Sequence, residues 1–250
     1  MTNHLYSYTL ALADDALILG QRLGEWCGHG PVLEQDIALT NIALDHLGQA
    51  RMLLQYAARQ IGGNATEDSL AFFRNEHEFK NLLITELPNS DWAYTLVKLF
   101  FYDTFNYFQT EGLLNSQNQE LKAVAQKAIK EVGYHAQFSA EWVIRMGDGT
   151  EESHQRAQKA INDLWMFTGE CFVPNEAMNE MTLAGIAPDY PALAPAWKDK
   201  VGEILEIAGL KMPETTWMQS GGRQGQHTEY MGKLLAEMQH LPRTYPNAVW

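Results

Sequence analysis

Apolar residues in this chain recur every three to four positions through several long windows, and strand-like alternation is nearly absent. A chain patterned this way must bury its apolar stripes by packing helix on helix. The first window, about Tyr6 to Trp26, carries the stripe Leu5, Tyr8, Leu12, Asp15, Leu19, Arg22 and Trp26, and Gly28, Gly30 and Pro31 close it. The second runs from about Leu33 to Ile61. Glu34 and Asp36 fall in its first turn, where the helix dipole favours them, and Gly62-Gly63 stops it. It is apolar on most sides, which predicts a central helix. A shorter helical segment follows at about Ser69 to Leu87. The third long window, about Asp91 to Asn115, is loaded with aromatic residues, and the fourth spans about Asn118 to Met146.

Further helices are predicted at about Glu152 to Phe172 and Ala192 to Ala208, then a loop over Gly209 to Gln226 and a last helix at about His227 to Leu241. Four long helices, with a crossing segment between the second and third, predict an all-α, ferritin-like four-helix bundle over about 5–147. Additional C-terminal helices and a tail, about 151–250, would wrap the bundle or form a docking surface. The whole is read as a single domain, 1–250. The aromatic window has more rings than one buried face can hold, so the C-terminal helices or a partner subunit should cover a second face.

Charge narrows the partners. With 31 acidic against 18 basic side chains the formal net charge is −13, which disfavours phosphate backbones and anionic lipid. The most apolar stretch, Tyr94 to Phe108, contains Lys98 and Asp103 and is too short to span a bilayer. The first residues have no basic region, and Asp14 and Asp15 break their apolar run, against a secretory signal. A cytoplasmic protein with no nucleic-acid or membrane partner is expected. Cys27 and Cys171, without any Cys-x-x-Cys, read as small buried apolar groups.

Each long helix carries one acid on its apolar stripe: Asp15, Asp45, Asp103 and Glu131. A buried carboxylate must be metal-bound, paired, hydrogen-bonded or protonated. The spacing from 15 to 45 nearly repeats from 103 to 131, so two hairpins would each bring in two acids, the layout of a ferritin-like di-metal site. Such a site takes Glu-x-x-His from one helix of each pair. Here Gly48 follows Asp45 and Tyr134 follows Glu131 at the histidine position, and His46 and His135 each stand one step away. The pattern reads as a polar network at degenerate di-iron positions, with no metal. The acids would bond to His46, His135, Arg22, Arg51, Tyr134 or ordered water. The competing reading is an active di-metal oxygenase or an iron-binding ferritin-like protein with an Asp-rich site.

The run Arg22-Leu23-Gly24-Glu25-Trp26-Cys27-Gly28-His29, with Pro31 and Glu34, resembles the first hairpin of the C subunits of phenylacetyl-CoA epoxidases. So do Asn41 to Asp45 with Leu47 to Arg51, Ala128 to Glu131 with Tyr134-His135, and His227-Thr228-Glu229 with Gly232 and Leu235 to Gln239. The resemblance spans almost the whole chain. It implies a structural, non-catalytic subunit of the complex that epoxidises the ring of phenylacetyl-CoA in aerobic phenylacetate degradation. The expected partners are the catalytic subunit, which holds the di-iron cofactor, a small additional subunit, and the reductase. This chain would carry no cofactor, and alone it would form homo-oligomers.

Gly221-Gly222-Arg223-Gln224-Gly225 invites a phosphate-binding reading with CoA as ligand, yet it fits neither a Walker loop nor a dinucleotide fingerprint, and a flexible loop is the plainer expectation. A free-standing CoA-ester binding module is the third reading. His29, His77, His154, His227 and His240 share no metal-ligand spacing and are expected to cap helices, lie at the surface or bond within the core.

Overall fold

The computed structural model describes residues 2–246 and 248, with side chains from His4 onward. Among the described residues there are ten α-helices and no strand. In chain order they are α1 (Thr2–Gly24), α2 (Leu33–Ile61), α3 (Glu67–Phe72), α4 (Leu83–Glu86), α5 (Trp92–Leu113), α6 (Gln119–Gly147), α7 (Glu151–Leu164), α8 (Glu176–Leu183), α9 (Tyr190–Ile207) and α10 (Glu229–Thr244). They form two compact units, Met1–Pro88 with Gly221–Trp250, and Asn89–Ser220.

The first unit is a hairpin of α1 and α2, to which α3, α4 and the returning α10 are added. α2 buries one stripe, running Leu39, Ile42, Ala43, His46, Gln49, Ala50, Leu53, Leu54 and Ala57. Its opposite face leaves Leu33, Ile37 and Leu44 exposed. The prediction of a central second helix is therefore corrected: apolar composition on several sides did not mean burial on several sides. The segment expected to be helical over about 69–87 is also corrected. It holds only α3, a single 3₁₀ turn at Glu76–Glu78 and the one-turn α4. The backbone N–H groups of Lys80 and Leu82 donate instead to the carboxylates of Asp14 and Asp15 on α1, at 2.8 and 2.7 Å. Those side chains satisfy donors that a continuous helix would have satisfied internally.

The second unit is built round α5, which is buried on nearly every side, from Ala93 and Leu96 through Phe100, Phe101, Phe105 and Thr110. α6 pairs with it as the other arm of a hairpin, and α7 and α9 cover its remaining faces. The surplus of aromatic residues is thus accounted for by the C-terminal helices. Phe101, Trp165 and Trp197 form a triangle with ring centroids 5.8 to 5.9 Å apart. Phe172 stacks edge-on to both Trp197 and Phe105 at 5.4 and 5.8 Å. The Trp197 indole N–H donates to the Phe101 carbonyl at 3.0 Å, and the buried Tyr190 hydroxyl donates to Gln109 Oε1 at 3.0 Å. These bonds remove the cost of burying the polar ends of two large rings.

The helix expected over Glu152 to Phe172 ends at Leu164 and continues as two 3₁₀ turns. α8, capped by Asn175, was not anticipated; eight residues between Pro174 and Gly185 are too few for a clear period. Cys171 is buried as expected, whereas Cys27 is exposed in the α1–α2 turn, and neither forms a disulfide.

Candidate functional site

Three buried carboxylates cross the first unit. Asp14 and Asp15 lie side by side on α1 because an α-helix turns about 100° per residue, so adjacent positions reach two neighbouring grooves. Asp14 accepts from both terminal nitrogens of Arg74 as well as from Lys80 N. The Arg74 guanidinium lies 4.0 Å from the centre of the Phe79 ring.

Asp15 is held by Arg223, which follows two glycines. Arg223 Nη1 donates to Oδ1 at 3.0 Å and Nη2 to Oδ2 at 2.7 Å, a forked ion pair in which both side chains are 1% exposed. Nη1 also donates to the carbonyls of Ala11 and Lys80. The glycines make this insertion possible. A Cβ on Gly222 would lie 2.1 Å from the Asn81 carbonyl oxygen, and one on Gly225, whose φ is +81°, would lie 2.2 Å from that of His77. Burial pushes the Asp15 carboxyl up to about 6, opposed by the charge and hydrogen bonds of Arg223 and by Leu82 N–H.

Glu86, fully buried in α4, completes the set. Its Oε1 accepts from Thr228 N at 2.6 Å, and its Oε2 meets Asn81 Nδ2 at 2.8 Å and His227 Nδ1 at 2.7 Å. Arg22 reaches over the same turn, donating from Nε to the Glu86 carbonyl at 2.8 Å and from Nη1 to Glu25 at 2.7 Å.

The second unit holds Asp103, on α5. It is fully buried, and neither carboxylate oxygen has a hydrogen-bond partner among the described residues. Burial pushes it up to about 8, and the nearby Ser139 hydroxyl, which donates to the His135 carbonyl at 2.9 Å, offsets little of that. At pH 7 Asp103 is therefore mostly the neutral acid.

The six positions singled out in sequence separate accordingly. Asp15 and Asp103 are buried, as expected of inward acids. Asp45 and Glu131 are only half-buried, Gly48 is exposed with nothing within 4 Å of a Cβ added there, and Tyr134 is 52% exposed. The expected register is thereby corrected. On α2 and α6 the buried stripe passes through His46 and His135, both 0% exposed, so those two, rather than positions 48 and 134, face inward. Two expected counterions are elsewhere: Arg51, 72% exposed, pairs with Glu67, and Arg22 pairs with Glu25. The flexible-loop and CoA readings of Gly221 to Gly225 are overturned as well, because Arg223 is the internal counterion of Asp15. Sequence reasoning missed Asp14, Arg74, Glu86 and the pairing roles of Arg223 and His227. The one local signal was the Asp14-Asp15 pair inside an apolar run.

Asp15 is not free to ligate an iron. Both Asp15 oxygens are taken by Arg223 and Leu82 N, and a cation there would meet a fixed guanidinium. What the network can do is hold the 221–230 segment, the 74–86 segment and α1 in one arrangement.

The whole chain, residues 1–250, matches the family model described as phenylacetic acid catabolic protein. The chain is also similar to the C subunit of the 1,2-phenylacetyl-CoA epoxidase of Escherichia coli strain K12, being 46% identical over 248 residues that cover 99% of this chain and 100% of that protein. No helix among the described residues is long and apolar enough to cross a membrane.

Proposed function

Since the chain belongs to the phenylacetic acid catabolic protein family, whose fold is ferritin-like and all-α, we propose that it is the structural, non-catalytic subunit of a phenylacetyl-CoA epoxidase of the cytoplasm. In this reading it pairs with and stabilises a catalytic subunit that holds the di-iron cofactor. A small additional subunit and the reductase complete the assembly, and the chain itself carries no metal.

The observation that carries the reading is the state of Asp15. Its carboxylate is engaged by Arg223, so one of the four acids of a di-metal layout is withdrawn from ligand duty. The exposed Leu33, Ile37 and Leu44, at 71%, 51% and 60%, support a chain that works against a partner, since three large apolar side chains on one helix face lower solubility when left uncovered. A second reading, in which the chain holds a metal of its own, is favoured by the unsatisfied Asp103 carboxyl.

Co-purification with the catalytic subunit, with iron counted in each separated chain, tests both. Iron in the partner alone, with epoxidation only in the mixture, is the expected result. Stoichiometric iron in this chain, lost in Asp103→Asn, would replace the proposal with the second reading.

A further inference from the structure

His227 stands where the C-terminal segment re-enters the first unit, and both of its ring nitrogens face oxygens. Nδ1 is 2.7 Å from Glu86 Oε2 and Nε2 is 3.0 Å from the Phe79 carbonyl. A neutral imidazole has one N–H and one lone pair, so it can satisfy one of these oxygens and must turn a lone pair on the other. Only the doubly protonated ring donates to both. Glu86 is held as the acceptor of that pair by Asn81 Nδ2 and by Thr228 N, and a proton shared between the two groups rests on the imidazole, the stronger base.

From this geometry we infer that His227 is a protonation-controlled latch. As the imidazolium it fastens the 226–230 end of the segment to α4 and to the Phe79 carbonyl, and its deprotonation loosens that end while Arg223 stays anchored on Asp15. The latch belongs to the first unit alone and stands whether or not the chain is an epoxidase subunit.

The surrounding charges agree in sign. Burial works against the imidazolium, but the hydrogen bond and charge of Glu86, the Phe79 carbonyl and the charge of Glu76 outweigh it and hold the ring above its ordinary value. Arg22, from α1, donates to the Glu86 carbonyl. The Lys80 ammonium is turned to the carbonyls of His77 and Gln224, and Arg223 is occupied by Asp15. A raised histidine stabilises the folded form fully at acid pH and loses that contribution as pH rises through the folded value. The latch is therefore closed on the acid side of that raised value and loosens as pH rises through it.

The test follows the ring and the segment together in the full chain. The ring nitrogens of ¹⁵N-histidine are titrated by NMR, and hydrogen exchange of the 222–231 amides, corrected for its intrinsic pH dependence, is measured over the same range. His227 should titrate above the ordinary histidine value of 6.5. Amide protection in 222–231 should fall about ten- to a hundredfold across that transition, the worth of one charge-assisted hydrogen bond. In His227→Gln the protection should already be low at pH 6 and stay flat to pH 9. Titration of His227 at or below that ordinary value would overturn the latch. So would protection that does not change across its titration, or a His227→Gln chain with wild-type protection and pH dependence. Where that variant fails to fold, the wild-type measurements alone decide.

Discussion

Arg223→Ala offers the most direct test of the buried network, because it removes a charge without touching either hairpin. The wild-type pair is inaccessible to water, with both side chains 1% exposed. Truncation leaves the Asp15 carboxylate with Leu82 N as its donor and strips a donor from the Ala11 and Lys80 carbonyls. Breaking a buried pair from one side costs about 3–5 kcal/mol. A domain has on the order of 5–15 kcal/mol of stability in all, so the variant loses a large fraction of it. The pH dependence identifies the cause. A carboxyl whose folded value lies above its unfolded one loses stabilisation as pH rises between the two. In the wild type that decline ends near the value of about 6. Without the guanidinium the folded value climbs, so the decline continues above pH 6, and the gap between variant and wild type should be wider at pH 8 than at pH 5.5. Asp15→Asn combined with Arg223→Met should recover most of the loss, since no unpaired charge remains. Urea denaturation followed by far-UV circular dichroism at the two pH values measures all of this. A loss below about 1 kcal/mol, or a gap that does not widen with pH, would refute the assignment of Arg223 as internal counterion.

Asp103→Asn should raise the denaturation midpoint at pH 8 and flatten the wild-type decline between about pH 4 and 8, because the folded value of about 8 lies far above that of a free carboxyl; an unchanged slope would mean that Asp103 is ionised when buried. Trp197→Ala should cost about 3–5 kcal/mol through the cavity it opens in the ring cluster, and Trp197→Phe only about 1 kcal/mol for the lost bond to the Phe101 carbonyl, both read from denaturation midpoints. Gly48→Ala and Gly222→Ala should act in opposite directions. The first, exposed within α2, should gain about 0.5–1 kcal/mol, and the second, 2.1 Å from the Asn81 carbonyl, should lose about 1–3 kcal/mol.

Much of this fold is legible in the chain because helices announce themselves locally. α2 falls on its expected limits, Leu33 to Ile61, since acids open it and a glycine pair closes it, and α5 and α6 agree within two residues at each end. The family is legible for a different reason: several motifs agree in order along the whole chain, and the match to 1–250 bears that out. What failed depended on partners far away in sequence. The 74–86 segment looks helical until Asp14 and Asp15 take its backbone donors. Arg223 looks like a loop arginine until Asp15 is seen opposite it. The stripes of α2 and α6 were misphased by one residue, about 100° of rotation. Placing the acids inward was a chemical assumption, whereas burial followed the apolar period through His46 and His135.

The distance along the chain between Asp15 and Arg223 is 208 positions. A ribosome adding about 5–20 residues per second makes the counterion roughly ten to forty seconds after the acid. Through that interval the nascent hairpin must keep Asp15 wet or protonated, so α1 and α2 cannot settle into their final packing before the glycine-rich turn is released. A polypeptide whose translation stalls in between has an unmatched charge at its heart and an unfilled surface where the last helix belongs. It is the sort of product that cellular proteases remove, so the ion pair doubles as a sign that the 221–230 segment has joined the hairpin.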